Sequence, residues 1–166
     1  MAAERDISTN AEHPFRAAWR TRDLEAWAEN MAEDIVLYSP IIKATFDGRA
    51  AAIELFGVLF DVLDSFEITD EFAADDAHVF FWRASARGRS FEGADLLRHN
   101  IDGKIYEVRV QVRTLIGIGH FGAALGPALA RRRGPIRGAL LRVSSPLLSA
   151  MFAMVDATAT RFTQAR

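Results

Sequence analysis

The chain has 166 residues, half of them hydrophobic and a quarter charged, with a formal net charge of −2, which describes one domain long enough to bury a core. It contains no cysteine, so disulfides, thiolate metal sites and thiol nucleophiles are excluded. The small net charge hides an uneven spread. Residues 1–113 hold 13 Lys and Arg against 21 Asp and Glu, whereas residues 114–166 hold seven arginines against Asp156 alone. An acidic body does not suit general nucleic-acid binding. The basic tail is suited to fold onto that body, to pair with another subunit or to meet an anionic surface.

Residues 1–10 are polar and mixed in charge, without the apolar stretch of a signal peptide, and a flexible N-terminus and a cytoplasmic location are expected. Pro14 suits the first position of a helix that carries Phe15, Ala18, Trp19 and Arg22 at helical spacing. Asp23 can cap a second, short helix with Leu24, Trp27, Ala28 and Met31 on one face. Residues 34–38 read as a strand stopped by Pro40, and residues 41–48 as a loop ending in Asp47-Gly48. A third helix then presents Ile53, Phe56, Phe60 and Leu63 as one stripe. Four strands are predicted over 65–72, 78–86, 91–99 and 104–113, with Asp102-Gly103 as a turn. In the last, Val108, Val110 and Val112 mark one face and Arg109, Gln111 and Arg113 the other. Early helices followed by an antiparallel meander predict an α+β protein with helices on one face of a curved sheet.

Residues 114–130 are uncharged apart from His120, contain four glycines and Pro127, and are followed by Arg131, Arg132 and Arg133. The apolar run is shorter than the roughly 20 residues of a membrane-spanning helix. Leu147, Leu148, Met151, Met154 and Val155 mark a further helical stretch. Two helices packed on the domain or on a second subunit are predicted, with peripheral membrane contact as the alternative.

Asp95 is the most informative single residue. It lies in a predicted strand whose same-side neighbours include Phe91, Gly93 and Leu97, and an unpaired charge there is costly to bury. It therefore faces either a cavity or a polar partner. As a site residue it is a candidate general acid, general base or ligand hydrogen-bonder, and burial would raise its pKa. As a structural residue it would pair with Arg83, Arg98 or a nearby amide. His99, four residues on, shares its face and is a candidate proton-transfer partner, unless its closeness to the Asp102-Gly103 turn leaves it solvated. Phe80 and Trp82 are pocket wall or core. Arg109 and Arg113 lie opposite the valines, on a face suited to dimer contact or simply to solvent. The four histidines, at 13, 78, 99 and 120, show no close ligand spacing, which argues against a zinc site. No phosphate loop, dinucleotide fingerprint or metal motif is visible, so no cofactor is expected.

Taken together, Arg22-Asp23-Leu24-Glu25-Ala26, Glu33-Asp34-Ile35-Val36, Ser39-Pro40, Phe46-Asp47-Gly48-Arg49-Ala50-Ala51-Ala52-Ile53, Gly93 to Leu97, Asp102-Gly103-Lys104-Ile105 and Val110 to Leu115 resemble the nuclear transport factor 2-like superfamily, near its SnoaL-like and ketosteroid-isomerase-like branch. The resemblance runs from Phe15 to Leu115. It implies a cone: a bent antiparallel sheet wrapping three N-terminal helices, open at one end, over residues 11–115, with a helical C-terminal extension over 116–166. It does not give the function, since isomerases, cyclases, hydrolases, dehydratases and non-catalytic modules share this fold.

By comparison with ketosteroid isomerases, the aspartate of the oxyanion hole falls on Asp95. Their catalytic base falls on Ser39, their oxyanion tyrosine on Phe15, and two supporting tyrosines near Met31 and Phe56. Steroid isomerisation by that mechanism is therefore not expected. The charged Asp–Arg–Asp arrangement of related epoxide hydrolases is not expected either, because Glu107 and Arg109 point away from the valine face. The resemblance implies a pocket for a mostly apolar small molecule, with Phe15, Trp19, Ser39, Phe56, Phe80, Trp82, Asp95 and Val110 around it. Any reaction would be cofactor-free acid–base chemistry: isomerisation, cyclisation, dehydration or hydrolysis. The alternatives are a non-catalytic dimerisation or carrier module, for which a pocket filled by Phe15, Phe56 and Trp82 would speak, and a membrane or protein adaptor acting through the tail. A homodimer through the outer sheet face at Arg109, Gln111 and Arg113 is expected.

Overall fold

The computed structural model describes residues 12–132, together with Ala150 and Met154. The predicted flexible N-terminus and most of the second tail helix lie outside the described residues. Helix α1 (Pro14–Thr21) starts with proline in its first turn, and the His13 ring accepts the Phe15 N–H at 3.1 Å as its cap. It buries Phe15, Ala18 and Trp19 and ends at Arg22, which adopts left-handed φ (+55°). The Arg22 guanidinium donates to the carbonyls of Phe60 (2.6 Å) and Leu63 (3.0 Å) at the end of α3. Helix α2 (Leu24–Ala28) is capped by the Asp23 carboxylate, which accepts from the N–H groups of Glu25 and Ala26, and it buries Trp27.

Strand β1 (Met31–Tyr38) is followed by β2 (Thr45–Asp47), then by α3 (Arg49–Val62). The segment predicted as loop thus contains a three-residue strand, paired antiparallel with β1 from Val36↔Asp47 to Tyr38↔Thr45. Three residues are too few to show an alternation of their own. Strands β3 (Ser65–Ala74), β4 (Ala77–Ala86), β5 (Arg89–His99) and β6 (Ile105–Arg113) form the antiparallel meander. Arg87 and Gly88 turn β4 into β5 with positive φ (+54° and +72°), the pairing that matches strand twist in a tight hairpin.

The six strands form one sheet in the order β2-β1-β6-β5-β4-β3. The sheet is curved and unclosed, with helices in its concavity, which is the predicted α+β cone. One pairing departs from the expected antiparallel pattern: β1 runs parallel to β6, with Leu37 opposite Val108. Helix α4 (Leu115–Arg132) begins where the Thr114 hydroxyl accepts the Gly117 N–H at 3.0 Å. Its residues Phe121, Ala124, Leu125 and Ala128 belong to the same buried cluster as Phe15, Trp27, Phe56 and Leu97. The first helix of the predicted extension is therefore packed into the domain's own core. Among the described residues no helix is long and apolar enough to cross a membrane.

Candidate functional site

Asp95 occupies the middle of β5, with Phe80 of β4 and Val110 of β6 as its register partners. Period-two alternation points its side chain to the concave face, alongside Trp82 and Val110, which also line the cavity. It is the one polar or charged residue in the buried set of the described residues, at 5% exposure. Its Oδ1 has no hydrogen-bond partner. Burial raises the pKa from 3.8 to about 7, and the nearby Trp82 indole N–H pulls it back slightly. That indole does not reach hydrogen-bonding geometry, since its Nε1 is also buried without a partner. The arginines considered as partners lie elsewhere: Arg83 pairs with Glu92, and Arg98 with Asp76 and Glu107.

The space in front of Asp95 is a cavity of about 40 Å³, room for a few water molecules. Of the expected ligand-binding residues, Trp19, Ser39, Phe56, Trp82, Asp95 and Val110 line it. The rest of the wall is apolar and comes from β1, β2, α3, β3 and β5, with Phe121 and Leu125 of α4 on one side. Those two residues are one helical turn apart, so the spacing that marks a buried stripe was present in the tail. Ser39 sits beside Pro40 at the cavity edge, and its hydroxyl accepts the N–H groups of Ile41 (3.1 Å) and Ile42 (3.4 Å). It is a turn-forming serine.

Phe15 and Phe80 are fully buried and do not line the cavity. Their rings pack 4.9 Å apart, and Phe80 meets His13 at 4.9 Å and stacks on His78 at 6.0 Å. They form a wall between the cavity and a cluster of three histidines. Phe80 was expected in the pocket from strand alternation, which gives the side on which a residue points but not how far along the cone it lies, and Phe15 from the comparison with the isomerases' tyrosine. His99 falls on the far side of that wall. A bulge separates Arg98 from His99 in the β5–β6 register, and the His99 Nε2 lies 3.2 Å from the His13 Nε2. It does not border the cavity and is placed away from Asp95.

The cluster corrects the argument from histidine spacing. His13 caps α1, His78 opens β4 and His99 closes β5, and one ring nitrogen from each lies within 4.8 Å of the others. Because the His13 Nδ1 accepts the Phe15 N–H, its proton sits on Nε2, which can donate to His99. Burial, followed by the charges of His78 and His99, lowers the His13 pKa to about 3. Burial and then His78 also lower that of His99. The His78 Nδ1 is buried without a partner.

On the outer sheet face, Arg109 is exposed, pairs with Glu107 at 2.8 Å and lies 4.3 Å over the Tyr38 ring. Arg113 pairs with Glu92.

The sequence matches the SnoaL-like domain family over residues 13–108, and the chain belongs to that family. Its structure is similar to that of a steroid delta-isomerase from Pseudomonas aeruginosa (TM-score 0.63, 24% identity, 72% of this chain and 85% of that one). It is also similar to an uncharacterised bacterial protein with a cystatin-like fold from Silicibacter pomeroyi (TM-score 0.61, 22% identity, 72% and 83%). A third similar structure is an NTF2-like protein of unknown function from Mesorhizobium loti (TM-score 0.55, 28% identity, 60% and 84%). No curated protein matches the chain in sequence.

Proposed function

We propose that the protein binds a small, mostly apolar molecule in the cavity between the sheet and α4, with Asp95 as the polar contact. The observation that carries this reading is a single carboxyl buried in an otherwise apolar cavity with Oδ1 unpartnered. With a pKa near 7, Asp95 holds a proton for much of its time at neutral pH. It can then donate a hydrogen bond to a ligand carbonyl or to a developing oxyanion. The same group can shuttle a proton, which suits isomerisation, cyclisation, dehydration or hydrolysis without a cofactor. Steroid isomerisation in the familiar way lacks its parts: Ser39 is tied into a turn, and Phe15 has no hydroxyl to donate.

The cavity's size sets a condition. Sites for drug-sized ligands measure roughly 300–1,000 Å³, against about 40 Å³ here. A ligand of more than a few heavy atoms enters only if the lining side chains move apart, those of α4 (Phe121 and Leu125) among them. That small volume favours a second reading, a non-catalytic module whose concave face is filled by its own side chains. We further propose that the chain forms a homodimer through the outer sheet face at Arg109, Gln111 and Arg113.

Native mass spectrometry of the purified full chain against a panel of small apolar ketones, lactones and phenols separates the two readings. The pocket reading expects a 1:1 adduct that raises the melting temperature and is lost in Asp95→Leu. Absence of any adduct, with Asp95→Leu simply more stable than the parent, supports the filled module.

A further inference from the structure

We propose that His13, His78 and His99 form a binding site for one zinc-class divalent metal ion, separate from the Asp95 cavity. Three elements deliver one imidazole each: the cap of α1, and the start of β4 and the end of β5, which meet across their hairpin. Their candidate ligand nitrogens all lie within 4.8 Å of one another. The two Nε2 atoms of His13 and His99 are 3.2 Å apart. Two ligands on a tetrahedral ion with Zn–N bonds of roughly 2.0–2.1 Å stand about 3.3 Å apart, so this pair is already at ligand spacing. The third nitrogen, within 4.8 Å of both, has to move inward on binding.

The His78 Nδ1 provides a second, independent observation. It is buried and has no hydrogen-bond partner among the described residues, an arrangement that calls for an explanation in a native structure. A metal ligated by the His78 Nδ1 supplies that partner directly. Imidazole ligands without thiolate or carboxylate suit zinc, copper and nickel rather than magnesium or calcium. The arginines near the rings are themselves paired, Arg16 with Glu71 and Arg98 with Asp76 and Glu107. All three histidines are partly exposed, which leaves water access to the fourth coordination position. Phe15 and Phe80 shut the site off from the cavity, so a metal here acts on the α1 end of the domain and not on Asp95.

Binding through the His13 Nε2 has a specific cost. The proton now on that nitrogen moves to Nδ1, and the Phe15 N–H loses its acceptor. Metal binding is therefore coupled to the first turn of α1, and the tautomer of His13 reports it.

The test is titration of the tag-free full chain with cobalt(II) and zinc(II), read by the visible absorption of four-coordinate cobalt and by ¹⁵N chemical shifts of the histidine rings. The expected result is saturable 1:1 binding at micromolar ion and a switch of His13 from Nε2–H to Nδ1–H. The variants His13→Asn, His78→Ala and His99→Ala are expected to weaken binding by more than the roughly 10–100-fold typical of changes outside the ligand shell. His120→Ala should leave it unchanged. His13→Asn keeps a good helix cap, so its loss of binding cannot be assigned to unfolding, and the shift measurement needs no variant. No saturable binding, unmoved ring shifts, or binding that survives in His13→Asn would overturn the proposal.

Discussion

The indole of Trp82 lies across the backbone of Gly93, its register partner on β5. A Cβ at position 93 would fall 2.5 Å from the Trp82 Cζ2 and would also collide with the carbonyl oxygen of Gln111. Gly93 is thus the residue that lets the sheet fold tightly enough for Trp82 to wall the cavity beside Asp95. Gly93→Ala is expected to destabilise the protein by about 3 kcal/mol or more, measured by urea denaturation. Pairing it with Trp82→Ala should restore little, because the clash with the Gln111 backbone remains.

The Asp95 carboxyl makes stability depend on pH in a defined direction. Its pKa is raised in the folded chain, from 3.8 to about 7. Between those values the folded state holds a proton that the unfolded state has released. Stability therefore falls as pH rises from about 4 to 7, and levels off above. The whole effect is at most a few kcal/mol. Asp95→Asn should flatten this slope and be the more stable protein at pH 8. Denaturation curves at pH 4.5, 6 and 8 check it, and an unchanged slope would mean that Asp95 is not the titrating group.

Arg22 ties the end of α1 to the end of α3 through two carbonyls, those of Phe60 and Leu63. Arg22→Ala leaves both without this charged donor and should cost about 1–2 kcal/mol. Arg22→Lys should recover only part of the loss, since an ammonium group cannot match the planar fork. Thermal melts of the three proteins give the order.

Phe121 and Leu125 line the cavity from α4. Phe121→Ala should cost about 3 kcal/mol or more and enlarge the space in front of Asp95. Binding of small aromatic probes should rise while the melting temperature drops. Probe binding equal to that of the parent would show that α4 does not control entry.

The proposed dimer places Arg109, Gln111 and Arg113 at or near the contact. Reversing one charge by Arg113→Glu also sets it against Glu92, its present partner. Light scattering is expected to show a dimer for the parent and a weaker one for the variant. A monomeric parent at micromolar concentration refutes the dimer.

The local periodicities carried much of this architecture. The helical spacing of Phe15 and Trp19, and of Ile53, Phe56 and Phe60, marked α1 and α3, and the alternating valines marked β6. The side on which Asp95 points was legible for the same reason: a carboxylate within an apolar alternation has few places to go. What the sequence did not display was produced by pairing at a distance. Strand β2 exists because β1 holds it, and the parallel β1–β6 contact has no signature in either segment. The histidine cluster was hidden because ligand-spacing rules apply within one loop or helix, whereas these three residues meet across the rim of a sheet. Phe80 fell behind the cavity wall because depth within the cone depends on sheet curvature, which bulges and Gly93 control, and Phe15 of α1 packs against it there.

The parallel contact between β1 and β6 also governs the order in which the chain can assemble during synthesis. Met31 pairs with Ile105, and Tyr38 with Arg109, so the inner edge of β1 waits for a partner made about 70 residues later. At typical elongation rates of 5–20 residues per second that delay is roughly 4–14 s. Until then β1 has only the three residues of β2 beside it, and the β3–β4–β5 meander, already made, is not yet joined to it.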